Sequence, residues 1–314
     1  MIVEISKHGT SLKRNHESFV IKNNDELIDI PAEKVDAFII SANCNITTQF
    51  IKLCLERQIQ MVLTEYSGQP FARLWSSAYG RTTSIRRAQY LNQESTLSKK
   101  IAKNLAIAKL KKQKSLLLEL RNNREEHIVE LELAIDSINQ TIQKIKDLNE
   151  NVLEKDSLRG LEGSAGRVYF SAISAILPQK WKFEKRTQHP AKDGFNAALN
   201  YIYGMAYSSI EKIIILSGLD PNAGFFHSDS YGKPTLAFDI IEMFRPELDK
   251  TILALFTKRQ VSDAWFDTEI IDGVYFSKIG RMRILEEYRG KNQKKIEIDT
   301  WKFCKDLSEN LVAE

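Results

Sequence analysis

The chain has little with which to build a covalent or thiolate framework: only Cys44, Cys54 and Cys304 occur in 314 residues, with no CxxC spacing. An odd, scattered set argues against a disulfide scaffold and against a structural zinc site, so these thiols are expected to be buried and inert. No run of 18 apolar residues exists to cross a bilayer, so no membrane partner is expected. The opening MIVEISKHGTSLKRN lacks the apolar stretch of a secretory signal, which makes the cytoplasm the expected location. Also missing are GxxxxGK followed by Ser or Thr, HExxH and GxSxG, which removes support for NTPase, zincin and α/β-hydrolase readings. Neither an internal repeat nor a low-complexity tract is present.

Hydrophobic residues make up 43% and charged residues 27%, ordinary values for a globular protein. The length suits two domains at about 100–200 residues each. A net charge of +4 is too small to establish nucleic-acid binding by itself, but the charge is unevenly spread. KKIAKNLAIAKLKKQK, from Lys99 to Lys114, holds seven lysines and no acid, whereas Glu119 to Glu150 leans acidic. The lysines surround the helix rather than forming one stripe, so a solvated helix face and a basic surface are both open readings.

Short apolar runs at Ile2 to Ile5, Phe19 to Ile21, Leu27 to Ile30, Phe38 to Ile40 and Met61 to Leu63 predict strands. Thr47 or Thr48 can cap a helix carrying Phe50, Leu53 and Cys54, and Ser67-Gly68-Gln69-Pro70 marks a turn. From about Arg86 the apolar period becomes helical. Leu97 to Leu120, then Ile128 to Leu148, predict a long helical hairpin within 97–153. Further helices are expected at Gly160 to Leu177, Phe195 to Ser217, Pro234 to Arg245 ending before Pro246, Thr251 to Arg259, Ile279 to Tyr288 and Thr300 to Leu311. The expected class is α+β, with a small β-rich N-terminal domain over 1–80 and a larger all-α C-terminal domain over 86–314.

Two fragments carry the chemistry. In DPNAGFFHSDSYGKPTLAFDIIEMFRPE, a turn-rich loop holds His227 and feeds a helix on which Asp239 and Glu242 stand three apart, a spacing that shares a helix face. In LRGLEGSAGRVYF, Glu162 stands among Gly160, Gly163 and Gly166. Three glycines in a helical pattern cost about 1 kcal/mol each relative to alanine, so close helix packing or ligand approach has to compensate, unless the segment is a loop. Glu162, His227 and Glu242 form an oxygen-rich set with one nitrogen that suits Mg²⁺ or Mn²⁺. Three ligands leave open positions on such an ion for phosphate oxygens. Asp239 is a candidate acceptor for the second nitrogen of His227, or for holding a water on the ion. Arg159 and Arg167, which flank Glu162, join Arg245, Lys258 and Arg259 as candidate DNA phosphate contacts; Arg81, Arg86 and Arg87 belong to the same wider set. His8, His16, His127 and His189 have no partner set and read as structural.

At these residues the chain resembles the CRISPR-associated integrase family, the spacer-acquisition endonucleases. The family pattern is a Glu in an EG motif, a His after GF, and an Asp followed three residues later by Asp or Glu. Glu162, His227, Asp239 and Glu242 fill all four positions. The resemblance implies a Mg²⁺- or Mn²⁺-dependent DNA integrase/endonuclease that joins 3′-hydroxyl ends of captured double-stranded DNA to CRISPR repeat DNA by transesterification. It also implies that Glu162, His227 and Glu242 hold the metal with Asp239 in support, and that the chain forms a homodimer through its β-rich domain and docks a small ferredoxin-like companion protein. A transposon-type integrase or branched-DNA nuclease would use the same site. A non-catalytic helical DNA-binding scaffold is the third reading, against which the complete site counts.

Overall fold

The computed structural model describes the whole chain except residues 25, 36, 58, 65–69, 75–80, 189, 228–232, 268–272 and 314, and except the side chains of residues 2, 60, 70, 73, 81 and 313. His189, the side chain of Arg81 and most of the turn expected at 67–70 lie outside the described residues.

The chain divides into two compact units. One comprises Met1–Leu91, Ser208–Pro221 and Asp299–Glu314, and the other Asn92–Tyr207 and Asn222–Ile298. The first begins β1 (Ile2–Ile5), β2 (Ser11–Asn15), β3 (Ser18–Lys22), β4 (Leu27–Pro31), β5 (Ala37–Ile40), β6 (Asn45–Ile46), α1 (Thr48–Glu56), β7 (Gln60–Thr64), β8 (Pro70–Arg73) and α2 (Arg81–Leu91). Two four-stranded sheets result, ordered β1-β5-β7-β8 and β4-β3-β2-β6. In the first sheet β1, β5 and β7 run parallel while β8 is antiparallel.

Strand β5, AFII, is buried at every residue, as expected for a parallel strand covered on both faces. Phe38 meets Phe19 of the second sheet and Phe50 of α1, with ring centroids 4.9 Å away in each case. On the opposite face Ala37, Ile39 and Val62 pack against Ile213 and Leu216. That second face explains why the boundary expected at 80–86 does not divide the chain: segments 208–221 and 299–314 return to the strand-rich unit because a two-sided sheet needs a second cover. Helix α1 is capped as expected, with the Thr47 hydroxyl accepting from the Phe50 amide, and it buries Phe50, Leu53 and Cys54.

The remaining elements are α3 (Thr96–Arg121), α4 (Ile128–Asp147), α5 (Lys155–Ala175), α6 (Gly194–Leu216), α7 (Thr235–Ile241), α8 (Arg245–Thr257), β9 (Phe266–Asp267), β10 (Tyr275–Phe276), α9 (Lys278–Tyr288) and α10 (Lys294–Ala313). A π-helical turn, Arg289–Gln293, joins α9 to α10. The expected hairpin is present as α3 and α4, which bury Leu105, Leu110, Leu116 and Leu117 on one helix and Leu131, Ile135, Ile138, Ile142 and Ile145 on the other. Among the described residues, only the short β9/β10 pair interrupts the helical character of the second unit.

Pro246 acts differently from expectation. Helix α7 already ends at Ile241, and Pro246 sits in the first turn of α8. There its missing N–H costs nothing, because first-turn amides have no intrahelical acceptor. Gly160, Gly163 and Gly166 lie inside α5 rather than in a loop, and a Cβ added at any of them would meet nothing within 4 Å. Close helix packing is therefore not their reason. Cys54 and Cys304 are buried, and burial pushes both thiols up to about 12. Among the described residues no helix is long and apolar enough to cross a membrane.

Candidate functional site

The site lies wholly in the second unit and is assembled from α3, α5, α6, α7 and α8. Its first part is the loop that carries His227. Asp239, fully buried on α7, turns its carboxylate back onto this loop. Oδ2 accepts from the amides of Phe225 at 2.6 Å and Phe226 at 2.9 Å, and Oδ1 accepts from the His227 amide at 2.8 Å. Oδ1 also lies 2.7 Å from His227 Nδ1. Four contacts fill the lone-pair sites of a carboxylate. Asp239 thus takes the role of acceptor for His227 and has no oxygen left for a metal-held water. An ionised carboxylate only accepts, so Nδ1 carries its hydrogen toward Asp239, and Nε2 is the ring nitrogen that Asp239 does not engage. Gly224 is required by this close approach, since a Cβ there would lie 3.0 Å from both Asp239 Oδ2 and Thr235.

The second part is a pair of carboxylates on one ammonium. Glu162 projects from α5 and Glu242 from the C-terminal end of α7, and both reach Lys109 of α3. Lys109 Nζ donates to Glu162 and lies 2.5 Å from Glu242 Oε2. Burial pushes the Lys109 ammonium down, but Glu242 and Glu162 outweigh it and hold the group above its ordinary value. Glu242 mirrors this: burial raises its carboxyl, while Arg245 and Lys109 bring it below the usual carboxylate range. Although Asp239 and Glu242 are only three residues apart, they face different tasks, one the loop amides and the other the buried cations.

Arg245 extends the cluster. Its Nε is 2.9 Å from Glu242 Oε1, its Nη2 donates to the Tyr207 hydroxyl at 2.9 Å, and its guanidinium stacks 4.9 Å over the Tyr203 ring. Tyr203 and Tyr169 donate to the buried Asp249 carboxylate, the latter at 2.9 Å. Glu162 and Tyr169 are two turns apart on α5, so one helix anchors both ends of the network.

These contacts redistribute the candidate DNA residues. Arg245, expected as a phosphate contact, is engaged by Glu242 and Tyr207. Arg159 donates to the Phe226 carbonyl at 2.9 Å and pairs with Asp156, so it ties α5 to the His227 loop. Arg167, Lys258 and Arg259 are exposed. Within the lysine-rich segment Lys109 is spent on the carboxylates, and Lys103 donates to the carbonyls of Lys146 and Leu148 and to Glu150. Lys112 pairs with Glu247 at 2.7 Å. Of the seven lysines, Lys103 and Lys109 are therefore buried inside the fold.

Sequence reading missed Lys109, Arg245 in its structural role, Tyr203 and Asp249. For Lys109 a signal existed: it falls on the buried stripe of α3 with Ala102, Leu105, Ala106, Leu110 and Gln113. A lysine at such a position demands a buried partner.

The family model described as CRISPR associated protein Cas1 matches residues 3–290. The chain belongs to the Cas1 family. A curated relative, CRISPR-associated endonuclease Cas1 1 of Thermodesulfovibrio yellowstonii, is 31% identical over 291 residues, covering 91% of this chain and 87% of its own. The corresponding protein of Archaeoglobus fulgidus is 30% identical, covering 83% and 79%. Among solved structures, a casposase bound to integration product is similar at a TM-score of 0.81 and 20% identity, covering 98% of this chain and 96% of that one. A chain of a partial Cas6-RT-Cas1–Cas2 complex is similar at 0.80 and 21%, covering 99% and 95%. These likenesses extend the Cas1 fold to the whole chain, β-rich region first and helical region after.

The donor set suits a hard divalent ion in kind: two carboxylates already share one cation, in the same unit as an imidazole whose Nδ1 is fixed. Among the described residues, however, no three of His, Cys, Asp and Glu are gathered tightly enough to hold an ion together. Lys109 occupies the place between the carboxylates.

Proposed function

We propose that this Cas1-family chain is a divalent-metal-dependent DNA integrase/endonuclease of CRISPR adaptation, joining 3′-hydroxyl ends of captured DNA to repeat DNA by transesterification. The observation that carries the reading is the convergence of Glu162 and Glu242 on one cation, in the same unit as a His227 locked by Asp239. Glu162, His227 and Glu242 would hold Mg²⁺ or Mn²⁺, and the ion would supply positive charge to phosphodiester oxygens. Asp239 orients His227, and Arg245 keeps Glu242 ionised in a dry setting. The names of the relatives, endonucleases of CRISPR systems, support the reaction class. The similar casposase and Cas6-RT-Cas1–Cas2 structures support DNA and a companion Cas protein as partners. The homodimer and the ferredoxin-like companion are part of the same proposal, as are phosphate contacts by Arg167, Lys258 and Arg259.

The test is an integration assay with the companion protein, linear duplexes bearing 3′-hydroxyls and a repeat-bearing plasmid. Products joined at the repeat boundary are expected with Mg²⁺ or Mn²⁺. They should disappear in EDTA and in Glu162→Ala, His227→Ala and Glu242→Ala. Turnover in EDTA would overturn the metal reading, and cleavage without joining would favour a nuclease.

A further inference from the structure

We propose that Lys109 is the resident cation of this site and that a divalent ion binds by displacing it, so that metal loading releases Lys109 from a buried ion pair. The inference rests on the metal-binding reading above and goes beyond it by naming what the ion must compete with.

Three observations carry it. First, Lys109 lies inside the α3 packing stripe with its side chain only 9% exposed, yet its ammonium reaches Glu162 of α5 and Glu242 of the α7–α8 junction. A buried ammonium is tolerated only with such compensation, so the two carboxylates define its place.

Second, the charges balance as they stand: Lys109 and Arg245 against Glu162 and Glu242. A divalent ion taking the same carboxylate oxygens would face an ammonium at contact range in a poorly screened interior, and one of the two must leave. Third, the two resident cations differ in how tightly they are held. Arg245 is fixed by Glu242, by the Tyr207 hydroxyl at 2.9 Å and by the Tyr203 ring at 4.9 Å. Lys109 carries its charge on a flexible four-carbon stem. Its ammonium is held by the same two carboxylates that an ion would claim. Lys109 is therefore the cation that moves.

The experiment titrates Mn²⁺ into the full chain and into Lys109→Met, reading free Mn²⁺ by electron paramagnetic resonance, with Glu242→Gln as the ligand control. Lys109→Met should bind Mn²⁺ roughly tenfold or more tightly than wild type. Its metal-free form should melt at a lower temperature and recover when Mn²⁺ is added. Equal or weaker Mn²⁺ binding by Lys109→Met overturns displacement while leaving the metal site standing. Absence of Mn²⁺ binding by every protein overturns the metal reading, and this inference with it.

Should Lys109→Met fail to fold, wild type decides alone. Mass-spectrometric footprinting with an amine-reactive acetylating reagent should label Lys109 faster by roughly tenfold at saturating Mn²⁺ than without metal, because displacement takes the ammonium of a side chain only 9% exposed to a position the reagent can reach. Unchanged or slower labelling with Mn²⁺ bound overturns the proposal.

Discussion

Asp239 Oδ1 stands 2.7 Å from His227 Nδ1 while the same carboxylate accepts three backbone amides from residues 225 to 227. One side chain therefore sets the path of the loop and the tautomer of the histidine together. Replacing Asp239 by Asn puts an NH₂ against an amide donor and removes the charge. Strand transfer should fall about 10–100-fold, the range for losing a group that orients a metal-ligating histidine. The native state should lose about 2–3 kcal/mol in urea melts, as for a buried charged hydrogen-bond acceptor. An Asp239→Asn protein with unchanged stability would show that the loop does not depend on this carboxylate.

Glu162 and Glu242 should part company in stability although the proposed metal site uses both. Glu242 is 5% exposed and faces Lys109 and Arg245 together, whereas Glu162 is 18% exposed and faces Lys109. Glu242→Ala takes the paired carboxylate from Arg245 and one of two from the buried Lys109, and should cost about 3–5 kcal/mol. Glu162→Ala should cost about 1–2 kcal/mol, closer to one charged hydrogen bond. Urea unfolding of both variants without added metal checks the difference, and equal losses would place the main electrostatic support elsewhere.

A considerable part of this arrangement was legible in the sequence. The Thr47 cap with Phe50, Leu53 and Cys54 follows local rules, as does the apolar period of the hairpin, and local rules survive into the fold. Strand β2, SLKRN, escaped because only Leu12 is fully buried and its pairing comes from neighbours on both sides. Helix α2 escaped for a related reason: it is polar, and contacts to distant chain secure it, as where Gln89 exchanges hydrogen bonds with the backbone of Asp220. The four residues Glu162, His227, Asp239 and Glu242 could be named from motifs. Their wiring could not, because Lys109 and Tyr203 bear no sequence relation to the motifs and become partners only by helix packing.

Asp249 gives the second unit a pH-dependent stability. Burial pushes its carboxyl up from 3.8 to about 6, against the lowering effect of the Tyr203 and Tyr169 hydroxyls. Between those values the native state binds the proton and the unfolded chain does not, so stability falls as pH rises through the interval. The full effect is about 3 kcal/mol, since each pH unit across the interval is worth about 1.4 kcal/mol. Asn at this position cannot titrate. Relative to wild type, Asp249→Asn should therefore gain about 3 kcal/mol on going from below the lower value to above the upper one. Urea melts at the two extremes supply the comparison, and a difference independent of pH would remove Asp249 as the titrating group.

DNA binding should weaken with salt, and the exposed basic residues should account for part of the slope. Arg167→Ala, Lys258→Ala and Arg259→Ala should each lower the log–log salt dependence by about one. Arg159→Ala should instead impair strand transfer through the His227 loop, with its slope unchanged, because Arg159 holds the Phe226 carbonyl at 2.9 Å. Fluorescence anisotropy over a salt series separates the two classes. A flat response in wild type would remove phosphate contacts as the basis of affinity.

The glycines of α5 offer the sharpest separation of folding from function. Gly160 is exposed, Gly163 and Gly166 are half-buried, and a Cβ at each enters open space. Alanine should then stabilise the helix by up to about 1 kcal/mol per site, since glycine is the costlier residue in a helix interior and nothing collides. Keeping three such costs beside Glu162 makes sense where a duplex backbone must come close to the helix. The triple alanine variant should therefore melt at a higher temperature and bind DNA more weakly, with Mn²⁺ affinity unchanged because the carboxylates are untouched. A variant that is more stable and binds DNA as wild type does would show that no ligand approaches α5 along this face.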